Sequence, residues 1–433
     1  MSGSPERLRA DEAIARISAG ARVVVPHGCV EPRSLFEAIA RWRGPAGDPA
    51  MLYGGLHFGD YAFLGPDRGG GRRAAAAEGG AAERGWAYTT WQVGPRIRDA
   101  MRAGRIGFLP LRFRDIPRAF GPGGPLAADV AIVQCAPAER GRLNLGISCS
   151  IFPAVIAAAR LVIAEVHPDM PRTAGATEVD ASDVDVVVDA TAPLCTLAGA
   201  EPDDVDRAIV DRVLGVLPEA PWVQLGVGAI PDAILARLSD VPGVKLHSGM
   251  LSDGLAPFLD ATGEATRVVT GEIAASVSTY ERAARDPRVA LQPTTVVHDV
   301  PTIARLERFA SINSAIEVDL AGQVNGEAID GRQVSGVGGS LDFVEAARCS
   351  AGGISVIALR STARGRSRIV ARLAAGTPVT VPRVAVDVVV TEHGVARLFG
   401  RDLERRAAEL IAIAAPEHRS ELAAAYERSR TEG

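Results

Sequence analysis

Lysine is almost missing from this chain. Among 433 residues Lys245 is the only one, so nearly all the positive charge is arginine, and in an Ala- and Gly-rich sequence this reads as composition bias rather than phosphate-binding design. There is also no excess of basic residues: 47 Lys and Arg face 52 Asp and Glu, the formal net charge is -5, and no basic arm or stripe occurs. That argues against nucleic acid as a partner. Cysteine is sparse; Cys29, Cys135, Cys149, Cys195 and Cys349 are odd in number, scattered and without a CxxC pair. The pattern points to a reduced compartment and against a structural zinc site. The seven histidines show no ligand spacing such as HExxH, so no metal is expected. No apolar run reaches the roughly 18 to 20 residues that span a bilayer. The opening stretch "MSGSPERLRADEAIARI" reads as an amphipathic helix with charges throughout, not a signal peptide. A soluble, cytoplasmic protein with no membrane partner is the expectation.

What is present is length and apolar content. With 433 residues, 47% of them hydrophobic, the chain can bury a large core and has the size of two or three domains. Short β-branched runs alternate with Ala/Leu/Arg-rich helical patterns: "ARVVVPHG" before "SLFEAIARW", "DVAIVQCAP" before "IFPAVIAAAR", "WVQLGVG" before "IPDAILARL". Continuous apolar strands separated by helices imply strands buried on both faces. The fold class is therefore α/β with mainly parallel sheets. A junction is expected near Leu194 to Asp206, giving domains 1–198 and 199–433 of similar architecture with a site in the cleft between them. Pro66 to Gly85, rich in Gly and Ala, reads as a flexible surface loop.

Several stretches can carry chemistry. In "WVQLGVGAIPDAI" a strand runs into Gly226-Val227-Gly228 and then a helix, with Pro231 expected at its first position. Backbone N–H groups at such a turn can bind an anion or oxyanion, although a plain tight turn is the commoner outcome and the third glycine of a dinucleotide fingerprint is missing. "GRQVSGVGGSLDF" sets Gly336, Val337, Gly338 and Gly339 beside Asp342, allowing close backbone approach to a ligand. Glu392 and His393 end a strongly apolar strand, where ligands bind in open α/β sheets. Asn313 lies among small residues, where a core hydrogen bond is the default. Cys29 near His27 and Glu31 reads first as a buried, inert thiol. "KLHSGMLSDG", Lys245 to Gly254, reads as a strand ending near Leu246 in a Ser-Gly turn with a polar cluster of His247, Ser248, Ser252 and Asp253.

Taken in order, "GPRIRDAMRAGRIGFLPLRFRDIP", "APAERGRLNLG", "AEVHPDMPRTAG", "QLGVGAIPDAIL", "INSAIEVDLAGQVNGE", "GVGGSLDFVEAARCSAGG", "STARGRSRIVARLAAGTPVT" and "DVVVTEHGVA" resemble the acetyl-CoA hydrolase/transferase family of class I CoA transferases, in particular its 4-hydroxybutyrate and butyryl branch. The resemblance covers nearly the whole chain. It implies paired CoA-transferase α/β domains, a homodimer or higher homo-oligomer, and coenzyme A thioesters as substrate. In the family's ping-pong chemistry a glutamate attacks the acyl-CoA thioester, becomes an acyl-glutamyl anhydride and then a glutamyl-CoA thioester, and passes CoA to a second carboxylate. That glutamate sits in a motif resembling His-Thr-Glu-Met followed by Ser-Asp-Gly.

Here the same stretch reads His247-Ser248-Gly249-Met250-Leu251-Ser252-Asp253-Gly254, so Gly249 stands at the nucleophile's position, and no Glu lies between Val244 and Gly263 to take its place. Removing the nucleophile from a covalent mechanism can cost on the order of a millionfold in rate, roughly 8 kcal/mol of barrier. Ser340, where relatives usually carry Gln, and "APAERG" also depart from the family pattern. By resemblance, Gly226, Val227 and Gly228 lend donors to the thioester oxyanion, Gly336 to Gly339 approach the acyl-CoA, and Asn313 and Glu392 lie near the substrate. Three readings remain open. An acceptor attacks the thioester directly, with His247 or Glu392 as base; a nucleophile has moved to Cys29, Cys135 or Cys149; or the protein binds acyl-CoA without turnover.

Overall fold

The computed structural model describes residues 4–44, 48–59, 61, 64, 85–199 and 201–431. The loop expected over Pro66 to Gly85 lies outside the described residues up to its last position. The chain divides into two compact units, Met1–Leu197 with Thr270–Val296, and Ala198–Val269 with Val297–Gly433. A single junction after residue 198 implies one crossing between units; three are observed. Residues 270–296 belong to the first unit, and several of their backbone groups pair with residues of it. Cys149 donates to the Gly271 carbonyl at 2.9 Å, Ile273 to Ile147 at 2.8 Å, Leu291 to Ala174 at 2.8 Å and Thr294 to Ser150 at 2.8 Å.

The first unit is built on a parallel sheet in the spatial order Glu6–Arg7, Val186–Asp189, Leu161–Val166, Val130–Glu139, Arg22–Val24, Ala50–Gly54, Trp86–Thr90, Ile106–Phe108. The short strands Arg142–Asn144 and Glu178–Asp180 add antiparallel pairs. Residues 130–136 are buried without alternation, the mark of a strand covered on both faces. Chain order reverses between Arg22–Val24 and Val130–Glu139, and His27 follows the first of these strands into that crevice.

In the second unit the parallel strands run Lys245–Leu251, Trp222–Leu225, Phe309–Asn313, Ile354–Ala358, Val388–Thr391, with Gly394–Arg397 antiparallel at the edge. Every residue of Phe309–Asn313 and of Val388–Thr391 is buried. The α/β class with mainly parallel sheets is the architecture observed. Here the order reverses between Trp222–Leu225 and Phe309–Asn313. In open α/β sheets the crevice at the carboxyl ends of such a pair is where ligands bind.

Two local expectations differ from the structure. The Lys245–Leu251 strand runs straight through the Ser248-Gly249 pair that reads as a turn, because the burial of Leu246, His247 and Ser248 and the Ser248 hydroxyl's place against the Leu225 carbonyl outweigh a weak local turn signal. The helix after the glycine turn is Ala229–Arg237, starting two residues before Pro231. The helix Asp204–Leu214 opens with a capping box between Asp203 and Asp206, and Arg360 grips the buried Asp206 carboxylate at 3.0 and 2.6 Å.

Candidate active site

Gly249 lies in mid-strand, half-buried, and its φ is not in the left-handed region, so a turn is not why it is glycine. The reason is a close neighbour. A Cβ on residue 249 would stand 2.9 Å from His298 Nε2 and 3.1 Å from its Cε1, closer than ordinary van der Waals contact. The imidazole of His298 fills the volume into which a side chain at 249 would project.

That ring is held from all sides. Its Nδ1 lies 3.3 Å from Asp342 Oδ2, and both side chains are buried. The Phe343 ring tilts against it at 4.6 Å between centroids. On the far side stands Gly339, whose hypothetical Cβ would fall 2.2 Å from His298 Cε1 and 2.6 Å from Nδ1. Gly339 caps the helix Ser340–Cys349, and Asp342 sits in that helix's first turn. Gly338, with φ of 57°, supplies the left-handed turn that lets the loop double back, and the Ser340 hydroxyl closes it onto the Val337 carbonyl at 2.9 Å. Behind the ring, Val297, Ile303, Phe309, Phe343, Ala346 and Ala347 form an apolar cluster, in which each buried phenylalanine contributes about 1.5 to 3 kcal/mol. Gly339→Ala forces an atom into this packed ring and is expected to lower the unfolding free energy by about 1 to 3 kcal/mol, read by urea denaturation.

The sequence singles out the 245–254 stretch and the glycine loop separately; the fold joins them through His298, which carries no local signal in "VVHDVPT". His247, on the same face of its strand as Gly249, does not point a nitrogen at open space. Its Nε2–H donates to the Val297 carbonyl at 2.9 Å and so anchors the peptide preceding His298. Burial pushes the His247 imidazole down to about 4, against the opposing pull of that hydrogen bond. On the other face Ser248 Oγ lies 3.0 Å from the carbonyls of Leu225 and Met250, tying the strand to the start of the 226–228 turn.

In that turn the Gly226 N–H is spent within the sheet, donating to the Ile312 carbonyl at 3.0 Å. Gly228, at φ 124°, permits the turn into the helix, and Val227 presents its side chain 48% exposed. Asn313, at the end of the neighbouring strand, forms a reciprocal amide pair with Gln224 at 3.1 and 3.2 Å, and its Nδ2 also reaches Ser311 Oγ at 2.9 Å. The core hydrogen bond expected by default is what the structure shows, placed at the switch crevice. Asp232, in the following helix, has its carboxyl raised by burial, with a Ser252 hydrogen bond opposing and Asp253 adding to the shift. Glu392 accepts from Ser361 N–H at 2.8 Å and from its hydroxyl at 2.6 Å, so both carboxylate oxygens are engaged beside Ser361.

The thiols are poorly placed for nucleophilic work. Burial pushes Cys135 and Cys149 up to about 12, and Cys29 is 2% exposed. A further buried polar group lies in the first unit: Glu272, pushed up to about 8 by burial against a hydrogen bond from Ser148, near His27, whose Nε2 lies 3.2 Å from Ser150 Oγ. Among the described residues no group of three His, Cys, Asp or Glu side chains is placed to hold a metal ion, and no helix is long and apolar enough to cross a membrane.

Comparison with known proteins adds the following. Residues 75–196 match the model of the acetyl-CoA hydrolase/transferase N-terminal domain, and residues 276–426 that of its C-terminal domain. The chain is 34% identical over 426 residues to a 4-hydroxybutyrate coenzyme A transferase of Clostridium kluyveri, covering 96% of each protein. Its structure is similar to that of RipA from Yersinia pestis, with a TM-score of 0.87 and 27% identity over 98% of both chains. It is also similar to a 4-hydroxybutyrate CoA-transferase from Porphyromonas gingivalis, with a TM-score of 0.77 and 28% identity over 98% of both.

Proposed function

Because the chain belongs to the acetyl-CoA hydrolase/transferase family, and is thus an acyl-CoA-dependent transferase or hydrolase, we propose that it passes a small acyl group from coenzyme A directly to an acceptor, with no glutamyl-CoA intermediate. The observation that carries this reading is the occupancy of position 249. Where the resemblance puts the attacking glutamate there is no side chain, and the space that one needs holds the His298 imidazole. Ping-pong CoA exchange through this position has no nucleophile.

The remaining apparatus suits direct attack. The 226–228 turn and the 336–339 loop supply backbone against which a thioester can lie, with Asn313 between strands at the same crevice. An oriented oxyanion donor contributes roughly 3 to 4 kcal/mol to such a reaction, and holding two reactants together contributes several more. His247, committed to the Val297 carbonyl, serves position rather than proton transfer, and Glu392 is spoken for by Ser361. A relocated cysteine is the second reading, and the raised thiols of Cys135 and Cys149 weigh against it, since the thiolate is the nucleophile. We take the enzyme to work as a cytoplasmic homo-oligomer, in keeping with the resemblance, on an acyl-CoA and an acceptor without a metal.

Intact-mass spectrometry of the protein incubated with short acyl-CoAs, with and without acetate, tests the proposal. The expected result is thioester consumption that does not depend on acetate and no added mass on the protein. A CoA or acyl adduct on the wild-type chain would overturn it.

A further inference from the structure

Resting on that reading of the site, we infer that His298, oriented by Asp342, is the general base of the reaction, and that the acceptor is a neutral O–H or N–H group rather than a carboxylate. The geometry places a proton-accepting nitrogen where the nucleophile's side chain is missing. Asp342 Oδ2 lies 3.3 Å from Nδ1 with both groups buried, a charge contact outside hydrogen-bond geometry, and a negative charge on that side favours the tautomer with its proton on Nδ1. Nε2 is the atom directed toward Gly249, 2.9 Å from where a Cβ would stand. The two residues that cover the ring's edges, Gly249 and Gly339, are themselves half-buried and carry no side chains, so an acceptor lying over either backbone comes within reach of the ring.

A clamped ring is what a base needs and what a filler does not. The carboxylate of Asp342, the Phe343 face and the His247 bond to the Val297 carbonyl together hold one orientation. The chemistry of the second substrate follows. A carboxylate, the acceptor in CoA exchange, is already ionised and has no proton to lose, so an oriented base beside it accomplishes nothing. Water, an alcohol or an amine must shed a proton as it attacks. In the step itself, the acceptor's oxygen or nitrogen bonds to the thioester carbonyl carbon while its proton passes to His298 Nε2. The tetrahedral intermediate then collapses, the C–S bond breaks, and the proton moves from Nε2 to the departing sulfur, giving the acylated acceptor and the free CoA thiol.

The test compares wild type, His298→Ala, His298→Phe and Asp342→Asn with acetyl-CoA in water alone, and then with glycerol, ethanolamine or acetate added; thermal melts check folding. We expect His298→Ala to lose roughly 10²- to 10⁴-fold in kcat with KM little changed. Added imidazole restores part of that loss in the alanine variant but none in His298→Phe, which refills the space without a nitrogen. Asp342, a positioning residue, shows the same split when changed to Asn: kcat falls and KM holds. Turnover in water alone identifies hydrolysis, and stimulation by glycerol or ethanolamine identifies transfer. The base assignment falls if wild type turns over without an adduct while His298→Phe stays within about tenfold of it, or if acetate proves the preferred acceptor. A protein adduct, or no turnover by wild type, instead overturns the underlying reading and the assignment with it.

Discussion

A glutamate installed at position 249 is expected to form little or no CoA adduct by itself, and to form one readily once His298 is cut back. On the proposed reading, restoring a glutamate at 249 looks, on sequence alone, like a one-residue repair. The His298 ring beside Gly249 makes it two. The new Cβ would begin 2.9 Å from His298 Nε2, so the ring must shift and give up its place beside Asp342 for a side chain at 249 to fit. Gly249→Glu alone therefore carries the strain of an overpacked site, about 1 to 3 kcal/mol, and holds its carboxylate away from the thioester. In Gly249→Glu/His298→Ala the volume is free, and a glutamyl-CoA thioester should appear as the main species by intact mass after incubation with acetyl-CoA. The contrast is large because a correctly placed nucleophile is worth on the order of a millionfold in covalent mechanisms. Equal adduct in the single and double variants would mean that His298 does not occupy the position.

The second large effect concerns stability. Glu272 is buried with a Ser148 hydrogen bond, and its folded-state value of about 8 lies above its ordinary 4.5. Between these values the folded chain keeps a proton that the unfolded chain has released. The stability this group contributes is full below pH 4.5 and is lost progressively as the pH rises through about 8. Glu272→Gln keeps the shape and the hydrogen bonding without the ionisation. By urea denaturation it should match wild type near pH 4.5 and exceed it by a few kcal/mol near pH 9, giving a flatter stability curve. A variant that loses stability with pH as steeply as wild type would assign the dependence to other groups.

Much of the architecture was legible because its signals are local. Apolar β-branched runs such as Val130 to Ala136 and Val388 to Thr391 must be buried on both faces, and strands buried so are parallel strands flanked by helices. The ordered series of motifs carried the family, and the absence of a carboxylate at 249 was plain from the residue itself. Boundaries were less legible. The Ser248-Gly249 pair has the composition of a turn, and only the burial of Leu246, His247 and Ser248 against the rest of the fold shows Lys245–Leu251 running through it. Gly226 had the look of an oxyanion donor, yet its N–H is used by the Ile312 carbonyl, which depends on a strand far along the chain.

What the sequence determined by itself, then, is the α/β class and the family, because each rests on ordered motifs or on periodicity within a few turns of chain. What only the tertiary structure decided is what stands beside Gly249. His298 belongs to no motif and has no spacing to recommend it; it becomes informative when Gly249, Gly339 and Asp342, from three separate segments, close around one imidazole. The return of residues 270–296 to the first unit is of the same kind, set by hydrogen bonds to residues 147–150 and 174 that no local pattern encodes. Contacts between distant segments are chosen by packing and by the pairing of backbone groups, and these exist only once the chain has folded.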